Sequence, residues 1–141
     1  MKKRILLKSV VAVVALLVSA ALISGTIWPR INDVKTGETP EYPDIQPQQF
    51  SASLYQVFDA ALATAHDLGW DDITEDRGNG EIHAVETTAL MRFHDDITIS
   101  VKQAGTGVIV NMRSHSRVGK GDLGTNARRI RRFQAEMKKR L

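Results

Sequence analysis

Residues 113–130 gather groups that can hold an anion. Arg113 and Arg117 alternate with Ser114 and Ser116 at the end of an expected strand. Gly119 and Gly121 follow, and Asp122 precedes a helical pattern. A planar guanidinium grips phosphate or carboxylate with two parallel hydrogen bonds. Backbone N–H groups in a glycine turn and at a helix N-terminus also favour an anion. Upstream, Phe93-His94-Asp95-Asp96 adds two carboxylates. The same residues allow a second arrangement. Asp95 or Asp96 can pair with Arg113, Arg117 or Arg129 and lock sheet to helix, while Asn126 bonds back to the turn. Asp122 would then cap its own helix and occupy the N–H groups an anion needs. The two arrangements therefore compete.

Other chemistries fit less well. Asp95 and Asp96 are neighbours on a strand, so their carboxylates point to opposite faces, whereas a hard cation wants several convergent oxygens. The histidines are His66, His83, His94 and His115. No pair has helical ligand spacing, and there is no cysteine to join them. His115 lies between Ser114 and Ser116, but strand neighbours point apart, which argues against a serine nucleophile with this base. No metal and no cofactor is expected.

The elements that position these residues follow from periodicity. Leu54, Val57, Phe58, Ala61, Leu62, Ala65 and Leu68 make one helical stripe. Ser51 is the expected N-cap, Phe50 and Tyr55 have staple spacing, and Gly69 stops the helix. Four strands are expected next. The first runs from Trp70 to Asp76, with a turn at Arg77-Gly78-Asn79-Gly80, and the second from Glu81 to Thr88. In the third, Ile97, Ile99 and Val101 alternate with polar residues. The fourth runs from Val108 to His115. A last helix starts near Asp122 with Leu123, Ala127, Ile130, Phe133 or Gln134, Met137 and Leu141 on its stripe. The implied fold is α+β: a two-layer sandwich of a four-stranded antiparallel sheet with two helices on one face. Leu54, Phe58, Leu62, Ile97, Ile99, Val101, Ile130 and Phe133 are the expected core.

The combination of Phe-x-Asp-Asp with Arg-Ser-x-Ser-Arg-x-Gly-x-x-Asp-x-Gly-x-Asn-x-x-Arg resembles the bacterial domain of unknown function 1499 family. Its fixed positions fall on Arg113, Ser114, Ser116, Arg117, Gly119, Asp122, Gly124, Asn126 and Arg129, with Asp95 and Asp96 upstream. The resemblance covers about residues 85 to 135. It departs near Tyr42-Pro43-Asp44, where an Asn-Cys-Val-Ser-like segment is expected. The family carries no established activity, so the resemblance implies no reaction.

The N-terminus suggests an address. Met1-Lys2-Lys3-Arg4 is basic, and no charge appears from Ser9 to Trp28. About 20 apolar residues match the hydrocarbon thickness of a bilayer, and basic residues before them favour a cytoplasmic N-terminus. Residues 1–29 thus read as an uncleaved transmembrane signal-anchor. Val18-Ser19-Ala20 offers the alternative of a cleaved signal peptide. Either reading exports the rest, and the anchor makes the protein single-pass in a bacterial inner membrane with its domain in the periplasm. Residues 30–49, with Pro40, Pro43 and Pro47, read as an extended linker, and residues 50–141 as one globular domain.

Charge is divided along the chain. Between Asp33 and Asp96 only Lys35, Arg77 and Arg92 oppose the acids; between Arg113 and Arg140 only Asp122 and Glu136 oppose the bases. Either the halves pair inside one fold, or a basic face meets an anionic partner. The expected function is a membrane-tethered periplasmic binding or interaction module, with an anionic lipid or small anionic envelope ligand as candidate partner and no nucleic acid. The alternative is an envelope enzyme acting on an anionic substrate, with Asp95 or Asp96 as acid or base.

Overall fold

The structure is a computed structural model that describes residues 2–141, with side chains described for 8–23 and 27–141. In chain order the elements are α1 (Lys2–Ile27), β1 (Asp33–Lys35), β2 (Gln48–Phe50), α2 (Leu54–Asp67), β3 (Asp71–Asp76), β4 (Glu81–Thr87), β5 (His94–Ala104), β6 (Gly107–Ser116) and α3 (Thr125–Arg140). The strands form one six-stranded sheet in the order β1-β6-β5-β4-β3, with β2 also on β6. Every pairing is antiparallel. β1 pairs with residues 113–115 of β6 and β2 with residues 108–110. The two short strands therefore lie end to end along one edge.

This corrects the expected four-stranded sheet. The added strands, β1 and β2, lie in residues 30–49, read above as an extended linker, apart from Phe50 at the end of β2. Val34 and Ile45 there are fully buried, and Thr36 Oγ1 accepts a hydrogen bond from Met112 N at 3.1 Å. The segment has too few apolar residues to show a period: Val34 lies on the edge of β6, while Ile45 reaches the core from the loop between β1 and β2. An edge strand of three residues leaves almost no periodic signal.

The transmembrane anchor is corrected as well. Among the described residues no helix is long and apolar enough to cross a membrane. The inner membrane as a partner through this helix, the signal-anchor and the single-pass inner-membrane location fall with it.

The core lies between the sheet and the α2–α3 layer. Along β5 the buried positions are Asp95, Ile97, Ile99 and Val101; along β6 they are Val108, Val110, Met112, Ser114 and Ser116. Both rows keep the period of two and face the helices. α3 contributes Ala127, Ile130, Phe133 and Met137, all fully buried. Phe133 stacks on Trp70, with ring centroids 5.8 Å apart.

The first domain helix starts two residues later than expected. Ser53, not Ser51, is the N-cap, and it forms a reciprocal capping box with Gln56. A Gln three residues after a Ser satisfies two N–H groups at once, which outweighs a staple built on Phe50. Leu54 then becomes the first helical residue and stands 38% exposed, so it leaves the expected core, while Leu62 is half-buried against it. Gly69 ends the helix in the left-handed region at φ +72°.

Phe133→Ala should therefore cost about 3–5 kcal/mol, the range for emptying a buried aromatic site. Leu54→Ala should cost about 0.5 kcal/mol or less, as at an ordinary surface position. Urea denaturation of the two variants checks the contrast.

Candidate functional site

Antiparallel register brings the two signature segments together. Asp95 lies opposite Ser116, Asp96 opposite His115, and Ile97 opposite Ser114. Alternation sends Asp95, Ser114 and Ser116 under α3, while Asp96, Arg113 and His115 face the other side of the sheet. The signature is thus split into an inner and an outer set.

The inner set centres on Arg129, 3% exposed. Its Nη2 donates to Asp95 Oδ2 at 2.7 Å. Its Nη1 donates to Ser114 Oγ and to Asn126 Oδ1, each at 2.7 Å. Its Nε donates to Glu86. Ser114 Oγ donates to Asn126 Oδ1 at 2.6 Å. The Asn126 amide donates to Ser116 Oγ at 2.9 Å and to the Asn32 carbonyl at 3.1 Å. Asn32 in turn donates to the Gly119 carbonyl at 2.6 Å. The buried donors and acceptors of the signature therefore satisfy one another, as groups cut off from water must.

The outer set forms two-pronged pairs. Arg113 grips Asp33 through Nε at 2.9 Å and Nη2 at 2.6 Å. Arg117 grips Asp96 through Nε at 3.0 Å and Nη2 at 2.6 Å. The side chains of all four are about half exposed. The Arg113 hydrogen bond holds the Asp33 carboxyl below its usual range, and the Arg117 hydrogen bond does the same for Asp96.

The turn into α3 also differs from expectation. The helix begins at Thr125, with Gly124 in the N-cap position at φ +76° and no side-chain cap there. Asp122 still acts from two residues upstream: Oδ1 accepts from Gly124 N at 2.9 Å and Oδ2 from Asn126 N at 2.7 Å. A Cβ on Gly124 would meet Trp28 Cδ1 at 2.6 Å. Gly124 is thus required both by its dihedral and by the indole lying against it. Gly119 holds another left-handed turn, at φ +86°.

Every site residue singled out from the sequence lies in or beside this network. Asn32, Asp33 and Glu86 were missed. The first two sit in the proline-rich segment. Glu86 is one strand away and shows no spacing relation to Arg129. Among the described residues no group of three or more His, Cys, Asp or Glu could hold a metal ion. Beside the network lies an open cleft of about 570 Å³, lined by Glu86, Thr87, Thr88, Leu90, Arg128 and Arg132 among others. Arg132 donates to Glu86 at 2.6 Å, and Arg128 donates to the Leu123 carbonyl and Thr125 Oγ1.

An antiparallel sheet backed by two helices and fastened by an arginine–serine–asparagine clamp defines a small α+β domain. The sequence profile described as Protein of unknown function (DUF1499) matches residues 25–137, and the chain belongs to that family. No curated protein matches the chain.

The two carboxylate–arginine sets differ in what they contribute. Removing one partner of a buried pair strands the other, at about 3–5 kcal/mol. Asp95→Ala should lose that much in chemical denaturation, and an Asp95/Arg129 double-mutant cycle should show strong coupling. Arg117→Lys keeps the charge at a half-exposed site and should shift melting little, with the shift fading in salt. Equal losses at the two sites would contradict the division.

Acid should act in part through the outer set. Asp33 and Asp96 bind protons less readily folded than unfolded, so their contribution is present above the unfolded carboxylate range. It is lost as pH falls below about 4. Asp33→Asn with Asp96→Asn should flatten stability against pH in that window, measured by urea titration.

Proposed function

We propose that the domain is a non-enzymatic binding or interaction module for an anionic ligand. The observation that carries this reading is the state of the carboxylates an enzyme would need. Asp95 is 1% exposed and bonded to Arg129, while Asp96 is held by Arg117 on the opposite face of the sheet. An acid or base must reach a proton on a substrate in a common cleft with its partners, and these two do not share one. His115 follows Asp96 to the outer face.

The anionic preference is supported by what the clamp leaves over. Arg30, Lys120 and Arg128 have no carboxylate partner among the described residues, although the neighbouring arginines of α3 and β6 are mostly paired. Unpaired cations on a fixed scaffold attract anions without reorganisation.

The full chain should be melted with a panel of phosphorylated and carboxylated compounds, and the same mixtures assayed for turnover. At least one anion should raise the melting temperature, less so in high salt, and none should be consumed. Turnover abolished by Asp96→Asn at unchanged melting temperature would establish the enzyme instead.

A further inference from the structure

A second cleft, of about 490 Å³, lies apart from the Arg129 clamp, between the end of α1 and the turn into α3. Trp28, Pro29 and Leu123 form its apolar wall, and Arg30 and Lys120 line it with them. The two sides are tied by backbone: Asp122 N donates to the Ile31 carbonyl at 3.1 Å. Gly124 admits the indole, since a Cβ there would collide with it. The volume lies within the range of small-molecule sites.

Two features of this cleft point to one kind of ligand. Its cations are free: Arg30 and Lys120 have no carboxylate partner among the described residues. Its wall is apolar, and Leu123 stands 57% exposed on it. In the cleft near Glu86, Arg129 and Arg132 are already bonded to Glu86, and of its lining cations Arg128 alone lacks a carboxylate partner, its guanidinium donating to the Leu123 carbonyl and Thr125 Oγ1. Free cations beside an apolar wall match a molecule with an anionic head and an apolar body.

We propose that the Trp28–Lys120 cleft binds an amphipathic anion, a phosphate or carboxylate bearing an aliphatic or aromatic group. This rests on the reading of the domain as an anion-binding module and assigns that module its site. Arg30 and Lys120 take the head, and Trp28 with Leu123 takes the body.

Isothermal titration and tryptophan emission of the full chain, with hexyl phosphate, inorganic phosphate and hexanol, test it. Hexyl phosphate should bind and shift the emission. Inorganic phosphate should bind about tenfold more weakly or worse, and hexanol should not compete. Arg30→Ala with Lys120→Ala, both exposed, should weaken hexyl phosphate by about tenfold or more at unchanged melting temperature. Trp28→Phe should retain binding and lose the emission change, because Trp70 is buried in the core. Equal affinity for inorganic phosphate overturns the amphipathic requirement. Binding that survives the double variant but is lost in Arg128→Ala with Arg132→Ala overturns this site and leaves the anion-binding reading intact. If no anion of the panel binds, both fall.

Discussion

The buried guanidinium of Arg129 is the interaction on which the rest of the domain depends. It reaches Glu86 on β4, Asp95 on β5 and Ser114 on β6 from a helix that closes over all three strands. Removing a guanidinium from water is tolerable only when its donors are met by well-placed acceptors. That condition explains the small polar residues around it. Ser114 is short enough to fit beneath the helix and can accept from Arg129 while donating to Asn126. Asn126 accepts through its side-chain oxygen and donates through its nitrogen, so it joins Arg129 to Ser116 and to the Asn32 backbone. A dry core beyond, with Ile130 and Phe133, would accept several packings of α3; the polar cluster accepts one.

The division of charge along the chain becomes intelligible in three dimensions. Acidic residues of the first part meet basic residues of the last: Asp33 with Arg113, Asp44 with Arg131, Asp67 with Arg140, Glu86 with Arg132 and Asp96 with Arg117. Most of these pairs are half exposed and add little stability each. Three of them offset charge on α3, at Arg131, Arg132 and Arg140, which from sequence alone looks like a broad basic surface. Several cations keep no carboxylate partner among the described residues, and two of them, Arg30 and Lys120, share one cleft.

The sheet and the clamp were legible to different degrees. Long alternating stretches such as Ile97, Ile99 and Val101 imposed their strand, and Gly69 marked a helix end. The signature residues were recognisable, and the divergence of Asp95 from Asp96 followed from strand geometry alone. The pairing was not legible. Arg113, Arg117 and Arg129 were equal candidates for the carboxylates, and Arg129 holds the buried position because burial depends on which face of α3 turns inward. Asp122 kept its capping role but not its place as N-cap, since Gly124 can adopt the left-handed turn that starts the helix. β1 and β2 were invisible because three-residue strands owe their form to the edge of β6, not to their own pattern. The apolar N-terminal stretch suggested a membrane anchor by composition, which the helix described in the structure does not support.

The central claim is that the signature is a satisfied clamp, with Arg129 immobilised among its partners. Proton–nitrogen NMR of the arginine side chains near neutral pH reads this directly. The account predicts separate, slowly exchanging guanidinium signals for Arg129, split because Nε, Nη1 and Nη2 meet different acceptors. Exposed arginines such as Arg30 should give averaged signals that exchange with water. An Arg129 resonance as averaged and as fast-exchanging as that of Arg30 would contradict the clamp.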